Sequence, residues 1–310
     1  MQFVAESCRR QGATVIDPIL ATDLELCRVH DPDYVASIRA TAGRATALDP
    51  DTFTSPDSFE VAVLAAGAAV TAVDQVIGET KRPVLALVRP PGHHAERRKA
   101  MGFCLFNSVA IAAAHARARG VDRVAIVDFD VHHGNGTQAA FYDDPSVLFL
   151  SSHQYPYYPG SGAARESGSG AGAGYTVNMP LEAGATDGDL LLVYRTIALP
   201  ILEQFRPGLM LVSGGFDAYE DDPLGGMRVT VGGFARLTSM LLEAAHRICD
   251  GRLVMVTEGG YDLPGLSGSL QAVANVLGGI ATDSPEAKTT PRARATIDAV
   301  VGEQRRFWRL

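Results

Sequence analysis

Short runs of aliphatic and β-branched residues recur along the chain, at Val84 to Val88, Val124 to Asp130, Val147 to Ser152, Leu209 to Gly214 and Leu253 to Gly259. Each is apolar over nearly its whole length and closes on Gly, Ser, Asp or Pro, as a strand buried on both faces does. Between them, Ala- and Leu-rich stretches keep helical spacing at Phe59 to Ile77, Asn107 to Arg119, Asp187 to Phe205, Gly232 to Ile248 and Leu266 to Leu277. This alternation predicts an α/β fold with a mainly parallel sheet covered by helices on both faces. In such a sheet ligands sit beyond the carboxyl ends of the strands, so chemistry is expected in the turns that follow them.

The segment from Tyr155 to Gly174 breaks the pattern with YPYYPGSGAARESGSGAGAG. Long loops in compact domains often carry function, but the Gly/Ser half, Ser167 to Gly174, reads as a mobile surface linker. No repeat and no dividing linker is visible. With 310 residues, 46% hydrophobic and 20% charged, the chain reads as a single globular domain over residues 1–310.

Charge then removes two classes of partner. The net charge of −8, from 27 Lys+Arg against 35 Asp+Glu, gives no positive field for a nucleic-acid backbone or an anionic membrane. Cys8, Cys27, Cys104 and Cys249 are scattered, without a CxxC pair, and read as reduced, cytoplasmic thiols. No signal-peptide core and no uncharged apolar stretch of about 18 residues is present, so a soluble, unexported protein is expected.

The strand ends hold the candidate chemistry. VAIVDFDVHHGNGTQ places Asp128, Asp130 and His132 two apart, on one side of the chain if it is extended. Two carboxylates and an imidazole at the end of an apolar strand are costly to bury unless a cation compensates them. Asp217 follows another strand in LMLVSGGFDAYEDDPLGG, whereas Asp221 and Asp222 read as a solvated turn before Pro223. A site of Asp130, His132 and Asp217 would leave positions free for water and substrate, as a catalytic zinc does. The absence of thiolates leaves ferrous iron open as well.

Two further turns complete the set. In VRPPGHHAERRKAMGFCLFNS, His93 and His94 follow a Pro-Pro-Gly turn. They are either exposed loop residues or the base and acid that hydrolysis requires. In LVMVTEGGYDLPG, Tyr261 stands on a Gly-Gly turn. Its hydroxyl is placed either to meet a developing oxyanion or to pack at the sheet edge.

Taken in order, HDPDYVASI, DTFTSPDSFE, RPPGHHA, GFCLFN, DFDVHHGNGTQ, YYPGSG, SGGFDAYEDDPLGG and EGGYDL resemble the histone deacetylase superfamily, with its arginase/deacetylase fold. The resemblance covers most of the chain and implies a three-layer α/β/α domain with about eight strands. It implies deacetylation of acyl-lysine side chains by metal-activated water, with one Zn2+ per chain on Asp130, His132 and Asp217. By the same resemblance His94 is the general base and acid, steadied by Asn135, while His93 is an electrostatic partner oriented by Asp128. Tyr261 polarises the carbonyl. Phe103 and Tyr158 line the acyl-lysine channel, with Gly102 and Gly259 allowing close approach of the chain and Asp51 at the rim. A structural K+ or Na+ is implied on Asp128, Ser151 and main-chain oxygens that include those of Asp130, His132 and Ser152.

Where this chain has Asn135, class I deacetylases carry Asp, so the similarity is closer to class II and bacterial deacetylase-like amidohydrolases. Leu224 stands where a polyamine-selective relative has Glu, which tilts the substrate toward acyl-lysine. The family's first strand and pocket-wall loop have no counterpart before the first helix, so either the start is truncated or the wall is built otherwise. The partner is an acylated lysine of a protein or, alternatively, a small acylated amine such as an acetylpolyamine. Homo-oligomerisation is left open. A catalytically silent acyl-lysine-binding module is the reading from a different class.

Overall fold

The computed structural model describes residues 2–78, 82–280 and 288–310. Eight strands form among them: β1 (Thr46–Asp49), β2 (Thr52–Thr54), β3 (Val84–Ala86), β4 (Val124–Asp128), β5 (Val147–Gln154), β6 (Thr176–Leu181), β7 (Leu209–Gly214) and β8 (Leu253–Thr257). Only six build the central sheet, in the order β3-β8-β7-β4-β5-β6, and every pairing in it is parallel. The expected sheet of about eight strands is therefore smaller, because β1 and β2 pair with each other in a separate antiparallel ladder.

The near-continuous apolar strands are explained by their two faces. On one face Ala125, Val127, Leu148, Leu150, Met210, Val212, Leu253 and Met255 pack with the helices from Asp187–Phe205, Val231–Cys249, Leu263–Leu277 and Pro291–Gln304. On the other, the intervening Val124, Ile126, Val147, Phe149, Leu209, Leu211, Val254 and Val256 pack with helices Ser58–Ile77 and Ser108–Ala118. Strict alternation along a pleated strand sends neighbours to opposite layers. Each fully buried aliphatic side chain contributes about 1.5–3 kcal/mol of transfer free energy. Ser58–Ile77 is long and apolar enough to cross a bilayer by length and composition alone, but Ala66, Ala69, Val73 and Val76 are fully buried beneath the sheet.

Topology places the site. From β4 the chain moves outward through β5 to β6, then returns to lay β7 on the other side of β4. Strand order thus reverses between β4 and β7, and a crevice opens beyond their carboxyl ends. Asp130 and His132 follow β4, and Asp217 follows β7.

Two predicted features differ. The edge strand β6 was not among the expected runs, since Asn178 and Pro180 interrupt its apolar pattern. The Pro291–Gln304 helix covers that edge, with Thr296 Oγ1 donating to Pro180 O (2.6 Å) and Gln304 Nε2 to Thr176 O (2.9 Å). The segment from Ser167 to Gly174, expected as a mobile surface linker, is packed instead. Ser169 N–H donates to Tyr142 O (2.8 Å), and the Trp308 indole donates to Gly174 O (2.8 Å).

Candidate active site

The donor atoms of Asp130, His132 and Asp217 lie within 4.8 Å of one another. His132 Nδ1 is 3.1 Å from both Asp130 Oδ1 and Asp217 Oδ2. Backbone donors fix the carboxylates: Gly259 N–H reaches Asp130 Oδ2 (2.9 Å) and Val131 N–H reaches Asp217 Oδ1 (2.9 Å). A Cβ at Gly259 would stand 2.1 Å from Asp217 Oδ2 and 2.7 Å from Asp130 Oδ2, so glycine there keeps the space beside both carboxylates clear. Burial disfavours charge on His132, yet hydrogen bonds to Asp130 and Asp217 and their charges lift it to about 11. Burial and the neighbouring Asp130 push Asp217 up to about 6. A spot with this demand for positive charge, built from carboxylate oxygens and one imidazole nitrogen, fits a divalent cation such as Zn2+ or Fe2+.

Asp128 takes a different part from its neighbours in the expected row of three. Strand β4 ends at this residue, and its carboxylate accepts from His93 Nδ1 (3.0 Å) and from Asp130 N–H (3.1 Å). The Pro-Pro-Gly turn before His93 is held from the end of β8, where buried Glu258, directly after the strand, accepts from Gly92 N–H (2.6 Å), His93 N–H (3.2 Å) and the Ser213 hydroxyl (2.8 Å). Burial would lower His93, but the Asp130 and Asp128 carboxylates overcome it and raise it to about 10. Burial, together with the charges on His93 and His132, holds His94 well below the ordinary histidine range. The two adjacent imidazoles are thus driven in opposite directions, His93 toward the cation and His94 toward the neutral ring.

Asn135 decides which nitrogen of His94 is free. Its amide nitrogen donates to Glu96 Oε1 (2.8 Å), so its carbonyl oxygen accepts from His94 Nδ1–H (2.7 Å). The lone pair of His94 then sits on Nε2, the nitrogen available to accept a proton.

His93, His94, Asp130, His132 and Asp217 line a cavity of about 220 Å³. Phe103 and Tyr158, expected as channel walls, both line it, as do Asp51, Gly102, Leu224, Gly259 and Tyr261. The Tyr158 ring stands edge-on to His94 (5.2 Å, 88°), and the Phe103 ring meets Tyr261 at 5.8 Å. Phe103 has φ 65°, an uncommon backbone for a bulky residue. It is held there by its N–H donating to Thr52 Oγ1 (3.1 Å), beside Gly102 N–H donating to Asp51 Oδ1 (3.1 Å). The Asp51 carboxylate thus braces the channel wall as well as facing the rim. Burial, with Asp217 and Asp130 nearby, pushes the Tyr261 phenol far above its ordinary value, which keeps the hydroxyl a donor.

The remaining expected residues lie outside the cavity lining. Ser151 pairs with Asp128 in the β4–β5 ladder. Its hydroxyl meets His153 Nδ1 (2.9 Å), and the Ser152 hydroxyl meets that of Tyr194 (3.0 Å).

One expectation is corrected. Asp222 is not part of a solvated turn: it is 6% exposed, and its carboxylate accepts three backbone N–H bonds, from Leu224, Tyr261 and Asp262. Asp221 beside it is exposed, as expected. Sequence reasoning also passed over Tyr157, which stacks on His132 (5.5 Å, 18°), as well as Glu96 and Glu258. Two adjacent tyrosines in a loop give no sign of which faces inward. The EGG turn did offer a signal for Glu258, an acidic residue directly after an apolar strand.

A family model for the histone deacetylase domain matches residues 2–277. Histone deacetylase 10, chloroplastic, from Oryza sativa subsp. japonica is 41% identical over 281 residues, covering 84% of this chain and 63% of the relative. Histone deacetylase 15 from Arabidopsis thaliana is 42% identical over 299 residues, covering 93% of this chain and 53% of the relative. The histone deacetylase-like amidohydrolase of Pseudomonas aeruginosa is 43% identical over 244 residues, covering 78% and 64%. The chain thus spans between about half and two thirds of these relatives. The crystal structure of the HDA15 HD domain superposes with a TM-score of 0.92 at 39% identity, covering 99% of this chain and 86% of that one. The mainly parallel sheet, its flanking helices and these likenesses give one conclusion: this chain belongs to the histone deacetylase family.

Proposed function

We propose that this chain is a zinc-dependent deacetylase that removes acetyl or another short acyl group from lysine side chains. The observation that carries this reading is the Asp130, His132 and Asp217 cluster opening on a narrow cavity walled by Phe103 and Tyr158. A Zn2+ held by those three residues would supply Lewis acidity toward an acyl carbonyl and toward water. The chain's own residues supply the rest. His94, neutral and with its Nε2 lone pair free, takes a proton from water and returns it to the leaving amine. Cationic His93, held by Asp128, offsets negative charge that develops beside it. The Tyr261 hydroxyl donates to the carbonyl oxygen as charge collects there. Aromatic rings exclude bulk water from the methylene stem of the lysine.

Leu224 at the cavity mouth, 37% exposed, presents no charge to a polyamine, which favours acyl-lysine over an acetylpolyamine. A structural K+ or Na+ near Asp128, Ser151 and Ser152 belongs to the same proposal, as does a single catalytic unit over the whole chain. The test is a metal-defined assay of acetyl-lysine peptide against acetylspermidine. Higher kcat/KM on the peptide supports the reading, a preference for acetylspermidine replaces its substrate, and metal-replete protein that hydrolyses neither overturns it.

A further inference from the structure

Asp222 is a buried carboxylate between two exposed neighbours, Asp221 and Pro223. It joins two pieces of chain that both line the cavity. Oδ1 accepts from Leu224 N–H (2.9 Å), while Oδ2 accepts from Tyr261 N–H (2.7 Å) and Asp262 N–H (3.0 Å). Its own N–H donates to Tyr219 O (3.0 Å), so the residue is fixed before it fixes others.

The turn that carries Tyr261 needs such a hold. On its upstream side, Gly259 is tied to Asp130. On its downstream side, Asp262 caps the Leu263–Leu277 helix by accepting from Gly265 N–H (2.6 Å). Between these anchors the backbone of Tyr261 is held by Asp222. Among the described residues no hydrogen bond holds the Tyr261 hydroxyl, and its ring touches only loosely directional partners, Phe103 edge-on and the Arg89 guanidinium at 5.4 Å. The place of the hydroxyl therefore depends on where the backbone N–H is pinned.

We propose that Asp222 is a positioning residue for Tyr261, and that through Leu224 it ties the shape of the channel mouth to the placement of the Tyr261 hydroxyl. This rests on the reading of Tyr261 as the carbonyl-polarising donor. Asp222→Asn keeps size and shape but turns one acceptor oxygen into an NH2 group, which faces an N–H donor whichever way the amide is set.

The experiment is a double-mutant cycle on metal-replete protein with acetyl-lysine peptide, using Asp222→Asn, Tyr261→Phe and the pair. Asp222→Asn is expected to lower kcat by about ten- to a hundredfold while KM moves by less than about threefold, because misplacement by a fraction of an ångström is felt in the transition state. In the Tyr261→Phe background the same change should cost less than about threefold, since there is no hydroxyl left to misplace. Asp222→Glu, which keeps the charge on a longer arm, should fall between wild type and Asp222→Asn. It also serves as the test if Asp222→Asn does not fold. A wild-type kcat in both Asp222 variants, or losses that multiply fully in the cycle, would overturn the inference. If Tyr261→Phe alone leaves kcat unchanged, the reading of the site fails and the inference falls with it. If Tyr261→Phe is slow and the cycle is additive, the inference alone fails.

Discussion

Asn135 sits between His94 and Glu96, its carbonyl oxygen accepting from the imidazole at 2.7 Å and its amide nitrogen donating to the carboxylate at 2.8 Å. A neutral amide in contact with His94 thus has a full negative charge one hydrogen bond further out. Glu96→Gln keeps an acceptor for Asn135 but removes the charge that favours a cationic His94 during turnover. We expect kcat to fall several-fold, and further in Glu96→Ala, where a mostly buried amide N–H loses its partner at about 1–3 kcal/mol. Steady-state kinetics of the two variants give the order; equal rates in all three proteins would remove Glu96 from the account.

Removal of divalent metal should abolish turnover and also lower thermal stability. Asp130 and Asp217 are buried, and their donor atoms share a small volume with His132, so a cation that binds only the folded state adds stability by mass action. Treatment with a chelator is expected to lower Tm by several degrees, with Zn2+ restoring both Tm and activity. Ferrous iron added anaerobically tests the alternative that the donor set leaves open. Full activity in metal-free protein would contradict the site.

Gly102→Ala should damage catalysis more than folding. A Cβ there would stand 2.3 Å from His94 Cδ2, and the residue has φ 57°. The left-handed backbone costs alanine roughly 1 kcal/mol, and the contact forces the imidazole to move. A kcat lower by about a hundredfold with a modest loss of stability is expected; a variant with normal kcat would show that His94 is not where the chemistry needs it.

His30 carries a pH dependence of stability. It is buried, with Nδ1 on Glu96 O (3.0 Å) and Nε2 accepting from Asn107 N–H (2.9 Å), and burial lowers it from 6.5 to about 4. The fold requires the neutral ring, so this contribution is complete above about pH 6.5 and is lost as pH falls from there toward 4, amounting to at most ~3 kcal/mol. Urea titrations at pH 7 and pH 5 should show a smaller acid-induced loss in His30→Gln than in wild type, even though the variant starts less stable. Identical pH slopes would mean that another group sets the dependence.

The parts of the fold legible in the sequence are those where one physical demand dominates. β4 and β7 must be apolar on both faces, so VAIVD and LMLVSG announce themselves, and the ionisable residues just beyond them stand out against that background. Edge strand β6 serves a weaker demand and tolerates Asn178 and Pro180. Asp222 was hidden for a different reason. An acidic run looks alike whether its members face water or three backbone donors, and only the return of the chain at Tyr261 and Asp262 separates them. Glu96, in an arginine-rich stretch, gains its meaning only when Asn135 arrives from 39 residues downstream.

The packing of Trp308 against the 167–174 segment has a spectroscopic consequence. Trp308 is the one tryptophan in the sequence, edge-on to Tyr175 at 5.7 Å and Phe205 at 6.5 Å, with its indole N–H on Gly174 O. Its intrinsic emission is therefore a built-in reporter for the attachment of this segment to the body of the protein. It reads that attachment without a label, at a distance in sequence from every residue assigned to catalysis.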